Sequence, residues 1–201
     1  MGSVLAVRSN SKISPNAAVL KNFRRNRINI AIWARPAIAG PDRLDLRRLK
    51  SFRFTTPIGS LSENLQTSLY GAGYRPGLNS NILVTDILML ASRYCEAVGV
   101  DEIEIRLEII NNDACRKFHA DYVTARLITT YSGQGTQWLS ADDAARFRDG
   151  QEPRNVRQLA TGDVALFKGW MWSAEDPILH RSPPILGTGE SRLVLVINPV
   201  G

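Results

Sequence analysis

The stretch EIEIRLEII, Glu102 to Ile110, decides how this chain is read. Ile103, Ile105, Leu107 and Ile109 alternate with Glu102, Glu104, Arg106 and Glu108, and successive side chains of an extended backbone point to opposite faces. The segment is therefore a half-buried strand, with one face on a core and the other toward water. Working outward from it, ARLITTY (125–131), VRQL (156–159), VALFKG (164–169) and RLVLVIN (192–198) are further short strands, separated by the turn sequences SGQG, TGD and GTGE. Upstream, INIAIWARP, Ile28 to Pro36, is a short strand stopped by a proline that cannot donate to a ladder. No strand–helix–strand alternation follows residue 100, which argues against a parallel crossover sheet and for an antiparallel sandwich or jelly roll.

Helical periodicity is clearest just before that strand. Leu83, Ile87, Leu90, Ala91, Tyr94 and Val98 recur at three- and four-residue spacing, with Asn79 or Ser80 placed to cap the start and Gly99 to stop the end. Such a helix has one apolar face and must pack on something; the β core over about residues 100–199 is the expected partner. SENLQTSLY (62–70) reads as a shorter helix. SADDAARFRDG reads as another, with Ser140 and Asp143 at capping-box spacing and Gly150 at its end. Residues 37–60 carry no regular pattern.

The 201 residues suit one domain, and a hydrophobic fraction of 44% supplies a real core. The net charge of +6 is unevenly placed: residues 1–53 hold twelve of the 25 Lys and Arg against two acids. The expected division is a basic flexible N-terminal arm over residues 1–27 and a single jelly-roll domain with a helical N-terminal part over 28–201. KNFRRNR (21–27) could meet nucleic acid or an acidic partner, but such a run is more often a solvated arm; nucleic acid is not the expected partner. No apolar run approaches the roughly 18 residues of a membrane span, so no membrane partner is expected. Cys95 and Cys115 are too few for a disulfide scaffold. A secretory pattern is lacking at the start, and the expected location is cytoplasmic.

The chemistry centres on the only two histidines. In FHADYV, His119 and Asp121 are two apart, so an extended backbone presents an imidazole and a carboxylate on one face. His180, in ILHRSPP, would complete a set of two histidines and one carboxylate, which leaves the opposite coordination positions of a metal open. The bland alternative is a surface His–Asp pair and a hydrogen-bonded histidine. Arg192 opens the apolar strand RLVLVIN on the same face as Val194 and Val196. There a guanidinium is costly unless an anion meets it, unless it sits at the strand's edge facing water. Lys168, Arg126 and Tyr131 are further candidates to bind an acid group, although strand-end cations are often snorkelling surface charges. Trp138, Trp170 and Trp172 either wall a substrate pocket or fill core, and Cys115 is either a metal ligand, favouring zinc, or a half-buried structural cysteine.

The order HxD…H…R resembles the Fe(II)- and 2-oxoglutarate-dependent oxygenase superfamily. That resemblance implies a double-stranded β-helix, Fe(II) held by His119, Asp121 and His180, and 2-oxoglutarate clamped through its far carboxylate by Arg192, with Lys168 or Arg126 next in line. The implied fold class is α+β, mainly β: a double-stranded β-helix (jelly roll, cupin-like) core with N-terminal helices packed outside. A tighter resemblance spans about residues 28–199. IAIWARP, CRKFHADYVTARLITTYSGQGTQWL, GDVALFKG, HRSPP and RLVLVINP together resemble the bacterial family catalogued as domain of unknown function 1826, whose name carries no reaction. The expected function is an Fe(II)/2-oxoglutarate dioxygenase acting on a small-molecule or peptide substrate. The alternative is a protein of the same barrel fold that binds or handles a divalent metal, Zn(II) alone, without oxidative turnover.

Overall fold

The computed structural model describes residues 10–200. Its strands are β1 (Ser11–Ser14), β2 (Ile30–Trp33), β3 (Phe52–Pro57), β4 (Glu102–Ile110), β5 (Ala125–Ser132), β6 (Gln137–Leu139), β7 (Val156–Gln158), β8 (Val164–Lys168), β9 (His180–Arg181) and β10 (Arg192–Pro199). Three α-helices accompany them, α1 (Leu61–Gly71), α2 (Leu78–Val98) and α3 (Ala141–Arg148). The described part is thus mainly β with few helices.

EIEIRLEII is the strand its alternation predicts, and Ile103, Ile105 and Leu107 are fully buried. It is the penultimate strand of a seven-stranded sheet of order β1-β2-β8-β5-β10-β4-β3, in which only β1 and β2 pair in parallel among the described strands. A second sheet, β7-β6-β9, is antiparallel and is extended by a bridge between His119 and His180. The one parallel pair, β1 and β2, is joined by a 3-10 helix over Ala17–Arg24; no α-helix crosses between parallel strands among the described residues.

The two faces of the large sheet bury different things. One face presents Ile103, Ile105, Leu107, Leu127, Leu193, Leu195 and Ile197, which share a core with Leu83, Ile87, Leu90 and Tyr94 of α2 and with Leu61, Leu65 and Leu69 of α1. The other presents Ile128, Ala165, Phe167, Val194 and Val196, which pack with Trp138 and Ile178 from the second sheet's side. Helix α2 therefore carries the apolar face its spacing predicts. It starts after Gly77, ahead of the expected caps, and Ser80 lies in its first turn with its hydroxyl donating to the Arg75 carbonyl at 2.7 Å. Gly99 ends it in the left-handed region, its N–H on the Cys95 carbonyl.

Two segments differ from expectation. Most of the presumed basic arm is built into the fold: β1 pairs with β2, and a 3-10 turn over Ala17–Arg24 buries Val19, Leu20 and Phe23. The physical reason is that a few apolar residues at three- and four-residue spacing suffice to dock a turn, while its interspersed cations stay exposed. Residues 1–9 of that arm lie outside the described residues. Within the patternless 37–60, FRFTTP forms strand β3 against β4, an edge strand whose alternation is too short to stand out.

Candidate metal centre

His119 and His180 come from chain segments 61 residues apart and meet as a directly opposed antiparallel pair. The His119 N–H donates to the His180 carbonyl (3.1 Å), and the His180 N–H donates to the His119 carbonyl (3.0 Å). Residues opposed in this way project their side chains from the same side, and the ring centroids stand 4.7 Å apart. The backbone beyond is pinned from below, because Gly169 at the end of β8 passes so close to the Val123 and Asp121 carbonyls that a Cβ would clash with both. The Trp170 N–H then bonds the Asp121 carbonyl at 2.8 Å.

Asp121 points between the two rings. Its Oδ1 is 3.8 Å from His119 Nε2, and its Oδ2 is 3.2 Å from His180 Nε2. Both histidines place Nδ1 on a backbone carbonyl, His119 on Lys117 (2.9 Å) and His180 on Ile178 (3.4 Å). A carbonyl can only accept, so Nδ1 carries a proton, and Nε2 is the nitrogen that each ring turns toward Asp121. Burial pushes the Asp121 carboxyl up, but the contact with His180 and the charges of His180, Arg126 and His119 outweigh it and hold it below the ordinary carboxylate value.

This donor set fits a divalent cation. One nitrogen from each histidine and one oxygen from Asp121 lie within 4.8 Å of one another; two ligands each about 2.1 Å from one ion stand at most about 4.2 Å apart, so Asp121 already suits both neighbours and the set is only slightly wide. The buried Asp121 Oδ2 supplies a second test. Arg126 Nη1 is 2.7 Å away and His180 Nε2 is 3.2 Å away, yet neither is aligned to form a hydrogen bond, and the oxygen has no other partner. A buried carboxylate oxygen in that condition is costly, and a metal ion between the three side chains would satisfy it.

The cavity around these residues measures about 210 Å³ and is walled by β4, β5, β9 and β10. That is below the roughly 300 Å³ at which drug-sized pockets begin, so it admits a small ligand. Arg192 lies in its wall and is 1% exposed. Its Nε donates to the Gln134 carbonyl (2.6 Å), Nη1 to Ser182 Oγ (3.0 Å) and Nη2 to Thr136 Oγ1 (3.2 Å). Three of the five guanidinium N–H groups are thereby used, all on neutral acceptors, and no carboxylate among the described residues is in ion-pair reach. Burial lowers its pKa to about 10. The SGQG turn aims the Gln134 carbonyl at it, and Gly135 is required there because a Cβ would overlap the Leu159 carbonyl.

The other sequence candidates separate by sheet face. Arg126 shares the cavity wall, but its Nε is committed to Asn198 Oδ1 (2.9 Å) and its Nη1 lies against Asp121. Tyr131 is five residues beyond Arg126 on β5, hence on the helix-facing side, where its hydroxyl donates to Asp86 Oδ2 (2.7 Å). Lys168 is opposite Ala125 in register and also faces away from the cavity, donating to the Arg25 carbonyl (3.0 Å) and lying over the Phe23 and Trp172 rings. Lys168 and Tyr131 are therefore not part of this cavity. Trp138 is core, whereas Trp170 and Trp172 are partly exposed and outside the cavity wall. Cys115 lines the cavity but is exposed rather than half-buried, and it stands outside the ligand cluster. Sequence reasoning passed over Arg106, Glu108 and Arg181 as wall residues. The first two lie on the polar stripe of EIEIRLEII, which faces the cavity as well as water.

The family model described as "Protein of unknown function (DUF1826)" matches residues 14–198. No curated protein matches the chain in sequence. Among solved structures it is similar to a dioxygenase for auxin oxidation from rice (11% identity, 75% of this chain and 56% of that one, TM-score 0.44). It is also similar to a Pseudomonas putida prolyl-4-hydroxylase (13% identity, 92% and 98%, TM-score 0.49). A third likeness is to a putative oxygenase from Shewanella oneidensis (12% identity, 94% and 88%, TM-score 0.46). The chain thus spans little more than half the length of the rice enzyme, and each of these three overlaps falls short of a TM-score of 0.5.

Proposed function

The chain belongs to the DUF1826 family of proteins of unknown function, and from that premise, which names no reaction, we propose that it is a non-haem Fe(II)- and 2-oxoglutarate-dependent oxygenase with a double-stranded β-helix core. His119, Asp121 and His180 would hold the metal. Bound there, Fe(II) would supply oxidation of an organic substrate by O₂ coupled to conversion of 2-oxoglutarate to succinate and CO₂.

The observation that carries this reading is the coexistence, in one small cavity, of an incompletely satisfied His–Asp–His set and a buried guanidinium with no anion. Three protein ligands on one side leave the other coordination positions for a chelating cosubstrate. The two uncommitted N–H groups of Arg192 suit the far carboxylate of a small dicarboxylate, which a planar fork holds in two bonds. Thr136, Ser182 and Gln134 hold that fork in place before the ligand arrives. The charge of Arg126 helps keep the Asp121 carboxylate ionised, while the Lys117 and Ile178 carbonyls would keep each imidazole in the tautomer that offers Nε2 to a metal. Val194, Val196 and Ile128 line the cavity and keep its wall dry.

The test is turnover. Purified protein with Fe(II), O₂ and 2-oxoglutarate should release succinate slowly even without a primary substrate, and Asp121→Ala should not. Equal succinate from the two proteins would remove this site as its source. The second reading, a zinc-binding or zinc-handling protein of the same fold, is favoured by the Cys115 thiol in the cavity wall. It predicts tight Zn(II) binding with no succinate.

A further inference from the structure

Building on the cosubstrate reading above, we propose that the primary substrate is itself an acid, bearing a carboxylate or a phosphate, and that Arg181 receives that group at the mouth of the metal cavity. Four guanidiniums line this cavity. Arg106 is paired with Glu108 and Arg126 with Asp121, and Arg192 is assigned to the cosubstrate. Arg181 remains, immediately after the candidate ligand His180. Its Nε is fixed on Gln137 Oε1 (2.7 Å), and its guanidinium lies 4.3 Å over the Phe118 ring. These contacts set its plane and leave the two terminal nitrogens uncommitted, with no carboxylate among the described residues in ion-pair reach.

The surroundings have the same sign. A second concavity of about 560 Å³ shares Cys115 and His119 with the metal cavity and brings Arg116 and Lys117 to the rim, both exposed and neither in an ion pair. The one acid in that rim, Asp113, anchors a loop, its Oδ1 accepting the backbone N–H groups of Ile185 (2.8 Å) and Leu186 (2.9 Å), and it leaves two cations against one anion there. An entering molecule therefore meets an excess of positive charge outside and a preformed planar fork beside the metal ligands. A cationic substrate would be repelled, and a neutral one would leave the fork unpaired. A carboxylate or phosphate matches it with two parallel bonds.

Zinc-loaded protein saturated with 2-oxoglutarate, which cannot turn over, is titrated calorimetrically with phenylacetate, phenyl phosphate and neutral phenylacetamide. At least one of the two acids should bind roughly tenfold or more tightly than the amide, and whichever binds better distinguishes carboxylate from phosphate. Arg181→Gln should bring acid and amide to within about twofold of each other, and Arg181→Lys should restore most of the preference, which loss of the Gln137 and Phe118 contacts alone would not allow. Equal binding of acid and amide, a preference that survives Arg181→Gln, or no binding of any of the three would overturn the proposal. Failure of the cosubstrate reading shows separately, as absence of 2-oxoglutarate binding to the zinc protein, and the same three titrations without 2-oxoglutarate still read Arg181.

Discussion

The two faces of the large sheet each bury an arginine and an aspartate, and they treat them in opposite ways. On the helix-facing side, Asp86 of α2 accepts both terminal nitrogens of Arg35 (2.6 and 2.8 Å) and the Tyr131 hydroxyl (2.7 Å), and Arg35 Nε donates to the Gly162 carbonyl (2.8 Å). Burial, with Asp86 beside it, pushes the Tyr131 phenol well above its ordinary value, so it stays a donor. That network is closed. On the cavity side, Arg126 lies against Asp121 (2.7 Å) without an aligned hydrogen bond to its Oδ2, and the more deeply buried Arg192 rests on neutral acceptors only. The first arrangement is complete within the chain; the second leaves polar groups without a hydrogen-bond partner among the described residues.

Removing each arginine in turn should separate the two faces most strongly. Arg35→Met orphans a buried carboxylate and should cost about 3–5 kcal/mol of unfolding free energy. Arg192→Met orphans no charge and should cost less than about 1.5 kcal/mol. Urea titration of the two metal-free variants checks this, and equal losses would mean that the faces do not differ. For 2-oxoglutarate the order reverses. Losing charge-assisted bonds of about 1.5–3 kcal/mol should raise its KM about 10- to 150-fold in Arg192→Met, measured by succinate release, while Arg35→Met, where it remains folded, should leave that KM within about twofold of the parent.

Smaller changes sharpen the contrast. Thr136→Val removes one acceptor that orients the Arg192 fork, and a loss of about 1 kcal/mol should weaken 2-oxoglutarate about fivefold with little change in stability. An unchanged KM would show that Thr136 does not position the fork. The smallest effect is in acid. The folded Asp121 carboxyl lies below its ordinary value, so its contribution to stability is full above the unfolded value of about 3.9 and fades as the pH falls through the lower folded one. Metal-free Asp121→Asn should therefore lose stability less steeply than the parent below about pH 4. Parallel acid limbs in urea midpoints would contradict the assignment.

Much of this was legible in the residues because it depends on local period. The two-residue alternation of β4, the three- and four-residue repeat of α2 and the His119–Asp121 spacing each fix which way side chains point. Arg192 was legible as a guanidinium among valines. Parity also shows why Tyr131 fails: it is an odd number of residues from Arg126, and the strand stays regular up to the bulge at Tyr131 itself, so the two lie on opposite faces. Lys168 could not be sorted in this way, since its face depends on the pairing of β8 with β5, and register between distant strands is not written in either one. The docked turn at Ala17–Arg24 was hidden by the charges around its three apolar residues. Arg181 was passed over because a cation beside a histidine reads as a surface charge until Gln137 and Phe118 are seen to fix it.

On the proposed reading, His119, Asp121, His180 and Arg192 together hold one metal and one dicarboxylate. Anaerobic addition of Fe(II) and then 2-oxoglutarate to the purified protein tests it directly. A visible metal-to-ligand charge-transfer band should form in the parent, be absent in His180→Ala and Asp121→Ala, and require far more 2-oxoglutarate in Arg192→Met. A parent protein that binds the metal but develops no band, or an undiminished band in His180→Ala, would contradict the account.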